Sequence, residues 1–185
     1  MKIYIDQGHN PINPNAGAEG NGLREQDITY TVGKLLAEEL DSAGIETKLS
    51  RPTSETQLGN SNASSLAART TEANAWGADY YISIHTNASD IQNASGSEAF
   101  VYSLGSTAST LAGNILYSLS VQTGLANRGV KQRPSLYVLR KTAMPAVLVE
   151  IGFITNPYDA ALMANRPDLF AEGIANGVFS FLANL

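Results

Sequence analysis

The stretch Pro145-Ala146-Val147-Leu148-Val149-Glu150-Ile151-Gly152-Phe153-Ile154-Thr155-Asn156 decides the fold. Four small or apolar residues, Ala146 to Val149, run straight into a carboxylate, with Gly152 just beyond. A short apolar run of this kind suits a strand buried on both faces, as in a parallel sheet. The strand is expected to end at Glu150. An ionised carboxylate buried there is costly unless it is paired or set against a metal. Glu150 therefore poses the question that the rest of the chain has to answer.

The flanking segments alternate in type. Lys2 to Asp6 reads as a first strand that feeds Gln7-Gly8-His9-Asn10. A long polar loop follows, with Pro11, Pro14, Gly17, Gly20 and Gly22, and structureless loops of that length are often functional. Ile28, Val32, Leu35, Leu36 and Leu40 recur at helical spacing up to Gly44, and Glu25 falls at or just before the first turn. Ile45 to Ser50 predicts a weaker strand, and Ser64 to Trp76, closed by Gly77, a second helix. Asp79 to His85 has high β propensity, and Ser97 to Ser103 predicts another strand. The connection between these two, Thr86 to Gly96, has no helical pattern. A parallel return needs a crossover, so the later strand is expected to run antiparallel to its neighbour.

Leu111, Ile115, Leu116 and Leu119 mark a third helix ended by Gly124. Leu136 to Arg140 reads as a short strand ahead of the final one, Ala146 to Glu150. Asn156 as N-cap with Pro157 at the first helical position opens a fourth helix. Pro167 opens the last, with Phe170, Ile174, Val178, Phe181 and Leu182 inward. The alternation predicts a single α/β domain over residues 1–185, a six-stranded mostly parallel sheet flanked by about five helices.

Composition narrows the function. At 185 residues, 43% hydrophobic and 16% charged, the chain suits one globular domain with a substantial core. A net charge of −5 argues against nucleic acid as a partner, and against electrostatic adhesion to membranes or anionic polymers. The absence of cysteine excludes disulfides and thiolate metal sites. No apolar segment approaches the ~20 residues of a membrane span. Met1 to Asp6 lacks the apolar region of a signal peptide, so none is expected in this chain.

The chemistry-bearing residues converge on one edge. The chain has two histidines, and both follow apolar strands: His9 after the first, His85 at the end of the third. In open parallel sheets the carboxyl ends of the strands lie along one edge, where ligands bind. Glu150 belongs to the same edge, and the glycine-rich loop can swing Glu25 over it. His₂Glu is a common ligand set for catalytic zinc, which leaves one position open for water. His9, Glu25 and His85 are the expected zinc ligands. Glu150, the remaining carboxylate, is the expected catalytic base and then acid. Asp6 competes as a ligand, but is placed better as the acceptor that orients the His9 imidazole. Glu19, Asp27 and Glu98 are weaker rivals. Glu150 has a bland alternative too, as a buried ion-pair partner of Arg51, Arg69 or Arg128.

At these residues the chain resembles the zinc-dependent N-acetylmuramoyl-L-alanine amidases of the amidase-3 type. The matching stretches are Ile5 to His9, Gly17-Ala18 with Glu25, Leu49 to Arg51, Ala68-Arg69 with Asn74, Ile82 to Ala88, Asn127 to Gly129 and Pro145 to Asn156. Gln7 and Asn10 depart from the usual proline and glycine without touching the ligands. The resemblance implies zinc on His9, Glu25 and His85, and catalysis by Glu150. It implies a bacterial peptidoglycan substrate, cut at the amide between N-acetylmuramic acid and L-alanine, by an enzyme acting at the cell wall as an autolysin, sporulation enzyme or phage lysin. Two other functions stay open: a zinc peptidase cutting within the stem peptide, and a catalytically silent wall-binding module. Because the chain and the wall are both anionic, a separate cell-wall-binding domain is expected to do the targeting. Arg51 and Arg69 are expected to tie loops to carboxylates. Asn87 is left between orienting the His85 loop and touching the stem peptide. Arg128 and Lys131 are left between a solvated loop and a contact to a stem-peptide carboxylate.

Overall fold

Side chains alternate across a strand, so each strand addresses two faces of its sheet. The computed structural model describes residues 1–91 and 93–185. In chain order the elements are β1 (Lys2–Gln7), β2 (Glu19–Gly20), β3 (Leu23–Arg24), α1 (Glu25–Ser42), β4 (Glu46–Leu49), α2 (Asn62–Trp76) and β5 (Tyr80–Asn87). They continue with β6 (Ser97–Val101), α3 (Thr107–Thr123), β7 (Asn127–Gln132), α4 (Tyr137–Lys141), β8 (Ala146–Phe153), α5 (Pro157–Asn165) and α6 (Pro167–Leu182). The main sheet has six strands in the order β4-β1-β5-β8-β6-β7. The pairs β4–β1, β1–β5 and β5–β8 are parallel, β6 is antiparallel to β8, and β7 is parallel to β6.

Ile3, Ile5, Ile82, Ile84, Val147, Val149 and Ile151 pack against α1, α3 and α6 on one face. Tyr4, Tyr81, Phe100 and Leu148 form the second cluster with Ala73 of α2 and Val138 and Leu139 of α4. Burying each such aliphatic side chain stabilises the fold by about 1.5–3 kcal/mol. On β8 the two sets interleave, so the apolar run is buried on both sides as its composition requires. Glu150 shares its face with Ala146 and Leu148, the side covered by α2 and the short α4. Among the described residues no helix is long and apolar enough to cross a membrane.

The structure departs from the sequence reading at four places. First, β8 continues three residues beyond Glu150 to Phe153, with an irregularity in pairing between His85 and Asn87 of β5. Gly152 therefore lies inside the strand. Second, Leu136 to Arg140 is not a strand. Tyr137–Lys141 is helical, which lets the adjacent Val138 and Leu139 both reach the core, and brings the helix count among the described residues to six. Third, the sixth strand is β7, an edge strand whose one aliphatic residue is Val130. An exposed edge has no apolar period to detect. Fourth, the glycine-rich loop holds a two-stranded hairpin, β2–β3, turning at Asn21 (φ 51°) and Gly22 (φ 75°). Asn-Gly with both φ positive is the preferred chemistry of such a turn, and that signal was present in the sequence.

Candidate active site

The hairpin delivers Glu25 to the first turn of α1, where the helix dipole favours a carboxylate. Its side chain is 4% exposed and meets four donors. Oε2 lies 3.2 Å from His9 Nε2 and accepts from the Ala18 amide at 2.9 Å. Oε1 lies 3.1 Å from His85 Nδ1 and accepts from the Thr86 amide at 2.9 Å. The two imidazoles meet edge to face, with ring centres 4.8 Å apart. Burial pushes the Glu25 carboxyl up, but the hydrogen bonds to His85 and His9 outweigh it and hold the group well below the usual carboxylate range. Burial likewise lowers His85, and its bond to Glu25 overrides that and raises it.

Two glycines permit this crowding. A Cβ at Gly8 would stand 2.6 Å from His85 Cε1. A Cβ at Gly17 would stand 2.8 Å from Glu25 Oε2 and 2.9 Å from His9 Cδ2. Real Cβ atoms do not approach so closely, so the glycines allow the β1 and hairpin backbones to lie against the three ligand candidates. One ligand atom from each of His9, Glu25 and His85 falls within 4.8 Å of the others, a spacing that one metal ion can bridge. Among the described residues the buried His9 Nδ1 has no hydrogen-bond partner, which leaves a second unused donor atom beside the group.

Glu150 sits one strand over. Its Cα is paired with that of His85 on one side and that of Glu98 on the other. Oε2 is buried and, among the described residues, has no hydrogen-bond partner. Burial is the largest influence and pushes the carboxyl up; with Glu25 and Glu98 adding to it and His85 opposing, Glu150 is raised to about 7. Among the described residues no cation pairs with it. Arg69 is bound to Asp6, Arg128 to Glu98, and Arg51 to the carbonyls of Gln26 (2.8 Å) and Ser54 (3.0 Å). The ion-pair alternative for Glu150 is thereby excluded for all three arginines, and Arg51 ties backbone rather than a carboxylate.

Asp6 does not orient the His9 imidazole. Its Oδ1 accepts from Arg69 and its Oδ2 from Ser83 at 2.7 Å, because β1 turns its side chain toward α2. Arg69 does the orienting instead, through the backbone. It is buried and donates to the Gln7 carbonyl at 2.7 Å and to the His9 carbonyl at 2.6 Å. His9 has φ 67°, a left-handed conformation costly for a residue with a Cβ and kept only where surrounding bonds impose it. Arg69 thus ties a loop to a carboxylate, as expected, but nothing in the sequence marked the His9 carbonyl as its partner, nor the Ala18 and Thr86 amides that grip Glu25. Glu19 and Asp27 lie outside the group and contact Arg24.

Arg69→Met should destabilise the protein by about 3–5 kcal/mol, since it leaves Asp6 buried without its cation. Burial raises Asp6, but Arg69 and Ser83 outweigh it and lower the group. Its contribution is thus present above the unfolded value of ~3.9 and lost as the pH falls through the lower folded value. Urea denaturation should show the gap between wild type and variant narrowing below about pH 4. A constant gap would mean that Arg69 stabilises through its carbonyl bonds and packing and not through Asp6.

Comparison with known proteins identifies the family. The profile of the Amidase_3 family, N-acetylmuramoyl-L-alanine amidase, matches residues 3–180. The sporulation-specific N-acetylmuramoyl-L-alanine amidase of Bacillus subtilis (strain 168) is 36% identical over 183 residues, covering 96% of this chain and 67% of the relative. The N-acetylmuramoyl-L-alanine amidase LytC of the same organism is 35% identical over 97% of this chain, which spans 35% of LytC. The CwlD amidase of Clostridioides difficile, solved in complex with the GerS lipoprotein, superposes with a TM-score of 0.91 over 100% of this chain and 99% of its own, at 24% identity, a likeness of fold. With a match over nearly its whole length, the chain belongs to the N-acetylmuramoyl-L-alanine amidase family.

Proposed function

We propose that this chain is a zinc-dependent peptidoglycan hydrolase that cleaves the amide joining N-acetylmuramic acid to L-alanine. The observation that carries the reading is the group His9, Glu25 and His85 beside an unpartnered Glu150, in a chain of this family. Residues 1–185 would then form the catalytic domain. Mixed imidazole and carboxylate donors suit zinc, and the unsatisfied Nδ1 of His9 and Oε2 of Glu150 fit a site that completes itself with a ligand.

His9, Glu25 and His85 would hold the metal. Bound zinc polarises a carbonyl and brings the pKa of water down to about 7. The chain does the rest. Glu150, raised to about 7 and free of any cation among the described residues, takes the proton of the attacking water and returns it to the departing nitrogen. The lactyl carbonyl becomes a carboxylate, and the stem peptide leaves with a free alanine amino group. Arg69 fixes His9 through its carbonyl, and Gly8 and Gly17 keep bulk away from the ligands. Attachment to the wall is assigned to a separate binding module, since a net charge of −5 opposes long-range attraction to an anionic polymer.

The protein should purify with one zinc per chain and lose both zinc and wall-lytic activity in EDTA, with recovery on zinc addition. Mass spectrometry of digested peptidoglycan should find intact stem peptides with new alanine amino termini. Stems cut internally would overturn the amidase assignment in favour of a peptidase. Peptide release unchanged by chelation would overturn the metal assignment.

A further inference from the structure

The net charge hides a segregation. Between Ala99 and Val149 there is no Asp or Glu, while Arg128, Lys131, Arg133, Arg140 and Lys141 all lie there. The remaining sequence holds all 17 acidic residues against seven basic ones. The positive segment includes β7, and the sheet register sets β7 beside the candidate active site. His85, Glu150 and Glu98 are successive partners across β5, β8 and β6, so they share one face and form a row. The row ends on β7.

A bulge aims β7 at this row. Ser97 pairs with Asn127 but Ala99 with Val130, so β7 carries one extra residue opposite Glu98. Gly129, at φ 83°, accommodates it. Three residues apart in a regular strand, Arg128 and Lys131 would face opposite sides of the sheet. The extra residue turns both onto Glu98, and bulges beside active sites commonly re-aim side chains in this way. Arg128 Nε lies 3.4 Å from Glu98 Oε2, and Lys131 Nζ binds the same oxygen. Asn87 Nδ2 donates to Oε1 at 2.8 Å.

One cation would suffice to neutralise the buried Glu98, and here there are two. Arg133 lies on the same face, its guanidinium 4.6 Å from the Phe100 ring centre. Arg128 is fixed further, 5.0 Å over the Phe153 ring and donating from Nη1 to the Ser95 carbonyl at 3.2 Å. Among the described residues its Nη2 has no partner. The result is a preorganised positive strip with side chains 39% (Arg128) and 46% (Lys131) exposed, on the rim next to Glu150.

We propose that Arg128 and Lys131, held on Glu98 and backed by Arg133, form a subsite for a carboxylate of the stem peptide. The inference rests on the amidase reading above and names a feature of the substrate. Strands are spaced about 4.8 Å apart, so Glu98 lies about 5 Å and β7 about 10 Å from Glu150. An extended peptide advances about 3.4 Å per residue. The strip therefore meets a group two or three residues beyond the scissile bond. Arginine is suited to carboxylates because its planar fork matches their geometry.

The test uses two synthetic N-acetylmuramoyl tripeptides, blocked at the C-terminus, whose second and third residues carry either free carboxylates or carboxamides. Wild type should turn over the carboxylate form with kcat/KM about tenfold higher, the scale of one charge-assisted hydrogen bond. The preference should shrink as salt is raised. Arg128→Gln and Lys131→Gln each leave Glu98 one cation, so both should fold. Each should abolish most of the preference through KM and leave the carboxamide form unaffected. Equal losses on both substrates, or no loss on either, would overturn the subsite. Failure of the amidase reading shows separately, as wild type releasing peptide from neither compound. In that event direct titration of both compounds into Glu150→Gln, with and without each substitution, still decides the subsite: equal affinity for the two forms overturns it.

Discussion

Glu150→Gln is expected to lower the rate of peptide release by about 10²–10⁴, the range for losing a general base, while zinc stays bound. Glutamine has the same shape and keeps one acceptor, but it cannot take a proton at neutral pH. The expectation depends on Glu150 having no structural partner. Its Oε2 is buried and unbonded among the described residues, and Arg51, Arg69 and Arg128 are all engaged elsewhere. A buried carboxylate of this kind costs stability when it ionises. In the metal-free protein burial raises the group to about 7. Its favourable contribution is therefore complete below the unfolded value of ~4.3 and disappears as the pH rises through about 7. Metal-free Glu150→Gln should then melt higher than wild type at pH 8 and not at pH 4. A variant that is inactive yet more stable at alkaline pH separates a catalytic group from a structural one. Wall digestion at the wild-type rate would end the role assigned to Glu150.

The second large effect is expected at His85. His85→Ala removes one of the three candidate metal donors and frees Glu25 Oε1 of its imidazole neighbour. The variant should purify without zinc, and its activity should fall to that of EDTA-treated wild type. The fold should survive, because Glu25 keeps the Thr86 and Ala18 amides and His9. Metal analysis alongside circular dichroism distinguishes the outcomes. Full zinc occupancy in His85→Ala would remove it from the ligand set. The pair of variants also separates holding the metal from moving the proton: one should lose both zinc and activity, the other activity alone.

Much of this arrangement was legible in the sequence, for local reasons. Buried parallel strands must be apolar on both sides, so Ile82 to Ile84 and Ala146 to Val149 announced themselves, and the polar groups that interrupt or end them stood out. His9, His85 and Glu150 were picked on that ground and Glu25 by its place after the glycine-rich loop, and the fold brings all four to one rim. Caps and terminal glycines marked the helices: Gly77 and Gly124 both adopt the left-handed conformation that ends one, and Asn156 accepts from the Tyr158 and Asp159 amides at the start of another.

Tertiary structure decided the rest. The edge strand β7 has no buried face to impose a period, so Arg128 and Lys131 read as loop until the sheet claimed them. Leu136 to Arg140 read as a strand, and packing of Val138 and Leu139 beside Ala73 of α2 made it a helix instead. Asp6 had several plausible partners within reach by sequence, and Arg69, 63 residues away, took it and the His9 carbonyl together. The sequence by itself therefore determined which residues must be buried and which of those carry a charge needing an explanation, because periodicity and desolvation act residue by residue. Which charge meets which, and that the positive segment lies beside Glu150, came only from strand order and register, because pairing energies depend on distances that neighbouring residues do not encode.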